Sequence, residues 1–452
     1  MKIMVTKDKK NPADNLTFLP FLAICVDLFT PYLIWNNKLP SIIRWLSDLA
    51  LAAMLLITIF RMFAFNRIPF AFWMIVFIAI FWSFVAIGHG QGITPTIWGV
   101  WLLFQFPFAA LFMYLQPEPP RRLPEYLRAF CLIILGMELI AQLLQYATGV
   151  IPGDRLSGLF GGNGTGIAVI FDILVCCVFF GHWIANRKWT GLVIALSMSM
   201  LSSVLGEMKL FPLAIVAIGI IAVFLFALKY RAPGEMLIYL TLIIIIVVGF
   251  TYIYNLVIPG ANTDPVQTYI TNPSRLFAYL NNTIGYNNPG GLYTDIGRVS
   301  ALNIGWQSIQ KDPVTFLFGY GLGTRSESQS LGTAGVALTT GNLGLSVGTS
   351  LLVMMQEMGV IGLVVLAVFM VWFLLTLAKD IRMHPESPLV GLRYALFLFT
   401  ILWPVWLFYA VIWTMRVPML LYWFSVGYLF AEVRVMQMQI QKKPRRKIVA
   451  GG

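Results

Sequence analysis

In the 452 residues of this chain, hydrophobic side chains make up 59% and charged ones 11%, with a mean hydropathy of +0.80. A soluble domain carries about 25% charged residues, so the composition excludes a soluble globular fold and points to a membrane protein. The net charge of +12 would suit a nucleic-acid binder, but the basic residues sit in short tethers between apolar runs, which excludes that partner.

Apolar runs of about 20 residues, the length a helix needs to cross the hydrocarbon core, recur along the chain. They predict an all-α, polytopic membrane protein with about twelve spans, near 16–35, 42–60, 69–87, 93–115, 127–148, 165–184, 190–205, 210–228, 235–257, 346–377, 389–411 and 415–433. The first run follows Lys7, Lys9 and Lys10 and is long enough to stay as a span rather than be cleaved as a signal peptide. The run 190–205 is short and is expected to tilt or to join its neighbour as a broken pair. Cys25, Cys131, Cys176 and Cys177 all lie inside apolar runs, where they read as small buried hydrophobes. The 14 Trp suit the two membrane interfaces.

Of the 31 Lys and Arg, 22 fall on the side of the termini and 9 on the other. Basic residues concentrate on the cytoplasmic side, so both termini are expected in the cytoplasm, with the tail Lys442–Lys447 against anionic headgroups. The chain divides into about nine spans over 1–257, an outer loop over 258–345, about three spans over 346–434, and a basic tail over 435–452.

The outer loop contains a predicted amphipathic helix, Val299 to Lys311, with Leu302, Trp306 and Ile309 on one face, Gly305 weakening it, and Asp312-Pro313 ending it. A second outer loop, 149–164, carries Arg155 and a glycine-rich turn. The large loop falls after the ninth span rather than at the midpoint, which does not suit a transporter of two equal halves.

The outer face holds few cations, and these are the candidate site. Arg155, Lys209, Arg275 and Arg298 could bind a phosphate-bearing lipid, with Arg gripping phosphate through its fork and Lys acting as a point charge. The start of the loop helix would add amide donors. Each could instead be an interfacial anchor or a local ion pair, Lys209 with Glu207 above all. Glu357 near the outer end of the tenth span could serve as a base, or could lock helix packing beside Gly359 and Gly362. Asp27, Asp48, Glu138 and Asp172 also fall in spans, where hydrogen bonding is the expected role. No His/Cys/Asp cluster has zinc spacing, no Walker-type loop is present, and Gly319-Tyr320-Gly321-Leu322-Gly323 reads as a turn.

These residues carry a resemblance. Arg155-Leu156-Ser157-Gly158-Leu159-Phe160 followed by Asn163, the segment Leu201 to Lys209, the run Gly297-Arg298, Trp306, Asp312-Pro313 and Gly319 to Gly323, and Glu357-Met358-Gly359-Val360-Ile361-Gly362 are together similar, in order, to signatures of the O-antigen polymerase and O-antigen ligase superfamily. The resemblance implies a GT-C-like, metal-independent membrane glycosyltransferase of the bacterial inner membrane, without a cofactor. Its donor would be a saccharide on undecaprenyl diphosphate. Arg298 and Arg155 would hold the diphosphate, Lys209 and Arg275 would assist, and Glu357 would be a base or helper. Membrane lipids, a chain-length regulator and a flippase are the implied partners. Ligase-like members often place a His shortly before that Glu. Gly348 stands there in this chain and the 258–345 loop has no His, which favours a polymerase of exopolysaccharide, capsule or O-antigen repeats over a ligase. A flippase of lipid-linked saccharide is the reading from another class. It would line a central cavity with charge at mid-membrane.

Overall fold

The computed structural model describes residues 18–35, 40–64, 68–116, 122–153, 155–161, 164–257, 272–281, 297–328, 332–336 and 348–442. Expectations for Asn163, for most of the 258–345 loop and for the tail Lys443–Lys447 lie outside the described residues.

The described chain is helical, with one minimal ladder. Nine helices lead into the loop: α1 (Phe18–Trp35), α2 (Trp45–Ala64), α3 (Phe70–Gly88), α4 (Ile93–Tyr114), α5 (Leu123–Ala147), α6 (Thr165–Asn186), α7 (Thr190–Leu205), α8 (Leu210–Tyr230) and α9 (Pro233–Val257). Three short helices follow: α10 (Pro273–Leu280), α11 (Arg298–Ile309) and α12 (Pro313–Phe318). An antiparallel pair, β1 (Glu327–Ser328) with β2 (Thr333–Ala334), comes next. The last part holds α13 (Ser350–Met383), α14 (Val390–Ile401), α15 (Trp403–Tyr409) and α16 (Arg416–Lys442).

Among the described residues, 8 helices are long and apolar enough to cross a membrane, or 9 if α14 and α15, bent by 47°, count as one broken span. The protein thus has the helices of a polytopic membrane protein. The twelve expected positions each carry a helix or this bent pair, but α1 and α7 count among the shorter apolar helices, and α16 starts on Arg416 and runs into a polar end. Hydropathy alone does not make these three into spans.

Helix α6 is the axis of the bundle. Its apolar window is 89% buried, against 11% for α3 and 12% for α9, and α14, α8, α7 and α16 pack around it. Gly181 permits the closest of these contacts, since a Cβ there would meet the Gly391 carbonyl oxygen at 2.2 Å. The large side chains of α3, α9 and the far half of α13 stay uncovered, among them Phe70, Phe77, Phe84, Ile244, Val248 and Trp372. Rows of bare aromatic and branched side chains are what a lipid-facing surface requires.

Charges inside the bundle find partners, as hydrocarbon demands. Arg416 reaches Asp27 at 3.4 Å and Asp48 at 2.6 Å. Ser47 Oγ donates to Asp27 at 2.6 Å and Trp101 Nε1 to Asp48 at 3.0 Å. Arg393, wholly buried, pairs with Asp380. Glu138 accepts from the Leu159 amide at 2.7 Å. Asp172, wholly buried on α6, faces the Ser202 hydroxyl of α7. The four cysteines are free, three of them buried.

Candidate functional site

The expected site residues gather on the face that carries α10 to α12, and the sequence explains how. Helix α13 breaks at Gly359, whose φ of 64° and ψ of −162° are non-helical. A break frees carbonyls that the next turn would otherwise satisfy, and leaving them bare costs free energy in an apolar setting. The turn Gly319 to Gly323 fills that need. Tyr320 N donates to the Gln356 carbonyl at 2.7 Å and Gly321 N to the Glu357 carbonyl at 2.9 Å. Trp82 Nε1 of α3 donates to the carbonyls of Phe318 at 2.9 Å and Met358 at 3.3 Å.

Glycine is required in this turn by space as well as by φ. Gly321 has φ +90°, and a Cβ on it would lie 2.1 Å from the Ala86 nitrogen. A Cβ on Gly99 of α4 would lie 2.3 Å from the Gly323 nitrogen. The glycine-rich string is therefore a plug between α3, α4 and α13.

Glu357 belongs to the same plug. Its Oε1 accepts from the Arg325 amide at 2.9 Å, and its side chain is buried. Next to it, Gln356 Oε1 accepts from Arg325 Nη1 at 2.6 Å and Gln356 Nε2 donates to Ser308 Oγ at 3.2 Å. Burial pushes the Arg325 guanidinium down to about 10, so it remains a cation at neutral pH. Of the two expectations for Glu357, this geometry supports the structural one, with the backbone of the turn rather than the Gly359/Gly362 surface as its partner.

Helix α11 starts one residue earlier than expected, and of the expected face Ile309 and Gly305 are buried and Leu302 packs against the same cluster. Its buried face is Ser300, Ala301, Gly305, Ser308 and Ile309, whereas Trp306 is 36% exposed. Gly305 is the reason: a Cβ there would sit 2.3 Å from Leu352 Cδ1, so the glycine that weakens the helix lets it lie against α13. Asp312-Pro313 does not merely end α11. It opens α12, with the Asp312 carboxylate accepting from the amides of Val314 and Thr315 at 3.0 and 2.9 Å and Pro313 at the first helical position. These bonds and the Thr315 hydroxyl hold the Asp312 carboxyl below its usual range.

Arg298 is the first residue of α11. Its Nε donates to the Tyr409 carbonyl at 3.0 Å and its guanidinium lies 4.7 Å from the Tyr409 ring centre. It thus seats α11 on the end of the bent α14–α15 pair. The segment after Tyr409 is tied to α13 by Ser350, whose amide and Oγ both donate to the Ala410 carbonyl at 2.9 Å.

Arg155 and Lys209 lie on two turns that touch each other. Gly153 N donates to the Leu205 carbonyl at 3.1 Å, which holds the 149–161 loop to the α7–α8 break. Arg155 is exposed there. Lys209 pairs with Glu207 at 3.1 Å, as its spacing implied, and Tyr254 OH donates to Glu207 at 3.0 Å. The turn after Arg155 is buried and held by α5, with Gln145 bonding both the amide and the carbonyl of Gly158. Gly161 lies against Pro31 of α1, and Gly166 of α6 faces Met415. Arg275 lies on α10, exposed, beside α11.

Sequence reasoning missed Arg325, Gln356, Trp82 and the role of Arg416. Arg325 stands two residues past the glycine turn and Gln356 next to Glu357, so proximity to the motifs was a usable signal. For Trp82 no local signal exists. Among the described residues, no group of three His, Cys, Asp or Glu side chains could hold a metal ion. Comparison of the chain with protein-family models and with curated proteins gave no match.

Proposed function

We propose that this chain is a polymerase of a bacterial surface polysaccharide, joining saccharide repeats carried on undecaprenyl diphosphate. The observation that supports the reading is that the loop carrying Arg155 is bonded to the α7–α8 break beside Lys209, while Arg298 opens α11 on the end of the bent α14–α15 pair. The remaining motifs build the plug that positions α11. In the reaction, an acceptor sugar hydroxyl attacks the anomeric carbon of the donor. A new glycosidic C–O bond forms, the C–O bond to the diphosphate breaks, and the hydroxyl proton leaves to a base. Charge grows on the departing diphosphate, and cations already in position stabilise it most. Arg298 and Arg155 take that role, with Lys209 exchanging its Glu207 partner for phosphate and Arg275 at the rim. The loop face is periplasmic in this reading, and both termini are cytoplasmic.

Purified protein in liposomes with lipid-linked repeats is expected to yield a ladder of lengthened glycans. Repeats that cross the bilayer without lengthening would replace this reading with a flippase.

Glu357 gives a second expected result. Glu357→Gln keeps an acceptor for the Arg325 amide but loses the charge faced by the Arg325 guanidinium, the Gly323 amide and the Ser326 side chain, so it is expected to lower elongation and melting together, by less than Glu357→Ala. Glu357→Ala is expected to lower both activity and melting temperature. Equal and complete loss of activity in both variants, with melting unchanged, would make Glu357 the base.

A further inference from the structure

On the face opposite α10 to α12, the ends of α5, α6 and α7 enclose a cavity of about 380 Å³. Arg128, His182, Arg187, Lys188, Trp189 and Thr190 line it, and among the described residues no acidic side chain does. Two acids stand back from it: Glu235 is 3.8 Å from Arg187, and Glu125 lies one helical turn before Arg128 on α5.

The lining is built rather than incidental. Arg128 Nη1 donates to His182 Nδ1 at 2.8 Å, so the imidazole is neutral and steers the guanidinium instead of repelling it. Arg187 adopts the left-handed conformation, φ 58°, which costs a non-glycine residue about 1–2 kcal/mol. That conformation ends α6, and the next three residues carry Lys188, Trp189 and Thr190 along the cavity wall before α7 rises. Helix α7 opens at Thr190, adding amides that have no acceptor within the helix. Trp189 is 63% exposed, and tryptophan prefers the level of lipid headgroups.

We propose that this cavity binds the phosphodiester headgroup of an anionic phospholipid in the leaflet on this face. Arg128 and Lys188, with Arg187 held between Glu235 and the Tyr230 ring at 4.1 Å, give the cavity a positive lining, and planar Arg groups suit phosphate oxygens. Trp189 places the cavity at headgroup depth, which favours lipid over free phosphate. The proposal concerns the other face of the protein and stands independently of the polymerase reading.

The test is native mass spectrometry of the full chain with phosphatidylglycerol, with phosphatidylcholine, and with inorganic phosphate alone. Phosphatidylglycerol is expected to be retained at least about tenfold better than phosphatidylcholine. Each basic residue near an anionic surface contributes about fivefold, so Arg187→Gln with Lys188→Gln is expected to weaken retention about 25-fold. Lys188→Gln alone, an exposed position, is expected to weaken it about fivefold and carries the test if the double variant does not purify. Equal retention of the two lipids, or unchanged retention in a folded variant, would overturn the site. Inorganic phosphate displacing phosphatidylglycerol at equal concentration would overturn the lipid as its occupant.

Discussion

Replacing Arg298 with Ala is expected to lower glycan elongation by at least about a hundredfold while the chain still folds and inserts. Removing a positioned donor that meets developing negative charge costs about 10²–10³ in rate. The structural cost is smaller. Arg298 stands at the first position of α11, where its Nε donates to the Tyr409 carbonyl and its guanidinium stacks on the Tyr409 ring. A hydrogen bond to a charged group contributes about 1.5–3 kcal/mol, and α11 keeps its seat on α13 through Ala301, Gly305 and Ile309. Arg298→Lys is expected to fall between, because the charge stays but the planar fork and the stacking do not. Ladder length in the liposome assay measures the first effect, and a thermal melt the second. Full activity in the Arg298→Ala variant would remove Arg298 from the reaction.

The largest effect on stability is expected from Gly321→Ala. The residue has φ +90° and a Cβ would fall 2.1 Å from one α3 backbone atom and 2.2 Å from another, the nitrogen and Cα of Ala86. Backbone cannot yield as a flexible side chain can. The plug has to withdraw, and the carbonyls of Gln356 and Glu357 lose their donors. Each buried group left without a partner costs about 1–3 kcal/mol, so with about 1–2 kcal/mol for φ the sum is about 3–8 kcal/mol, a sizeable part of a typical folding free energy. Gly90→Ala is the control. It shares the left-handed φ, at +78°, but its Cβ meets nothing within 4 Å, so about 1–2 kcal/mol of conformational cost is all that is expected. Melting temperatures of the two variants separate the clash from the φ. Similar shifts in both would show that the plug is not tightly seated.

Hydropathy made most of the helices legible because lipid imposes length and apolarity on every span. It could not distinguish the marginal helices α1, α7 and α16, whose place depends on neighbours more than on composition. Partners were harder to read. Lys209 and Glu207 are two residues apart, and their pairing was visible. For Glu357 the sequence leaves a base and a packing role both open, because the Arg325 amide that it accepts from lies 32 positions back. A backbone amide leaves no mark on residue type. On α11, Ile309 and Leu302 pack inward as their spacing implies, and only Trp306 turns away. Gly305 reads as a defect in one helix and becomes a contact surface only when α13 is beside it. Asp312-Pro313 carries both signals, a stop for one helix and a cap for the next, and local pattern does not rank them. The candidate cations were found by scarcity: few positive residues occur on the loop side, so each one stood out. Their division into two groups came from the turns that connect α5 to α6 and α7 to α8.

Arg416 joins α16 to α1 and α2 across 389 and 368 residues of sequence. The ribosome therefore delivers the two aspartates 389 and 368 residues before their cation. Until then Ser47 and Trp101 are the donors within reach of Asp27 and Asp48, and the arrival of α16 is expected to complete the set. A nascent chain stopped before Arg416 keeps two lipid-embedded acids for quality-control proteases to recognise, and its half-life in a pulse-chase should be far shorter than that of the full chain. Restoring α16 with the substitution Arg416→Met should leave the short half-life unchanged. A long-lived Arg416→Met chain would mean that packing of α16 alone completes the bundle.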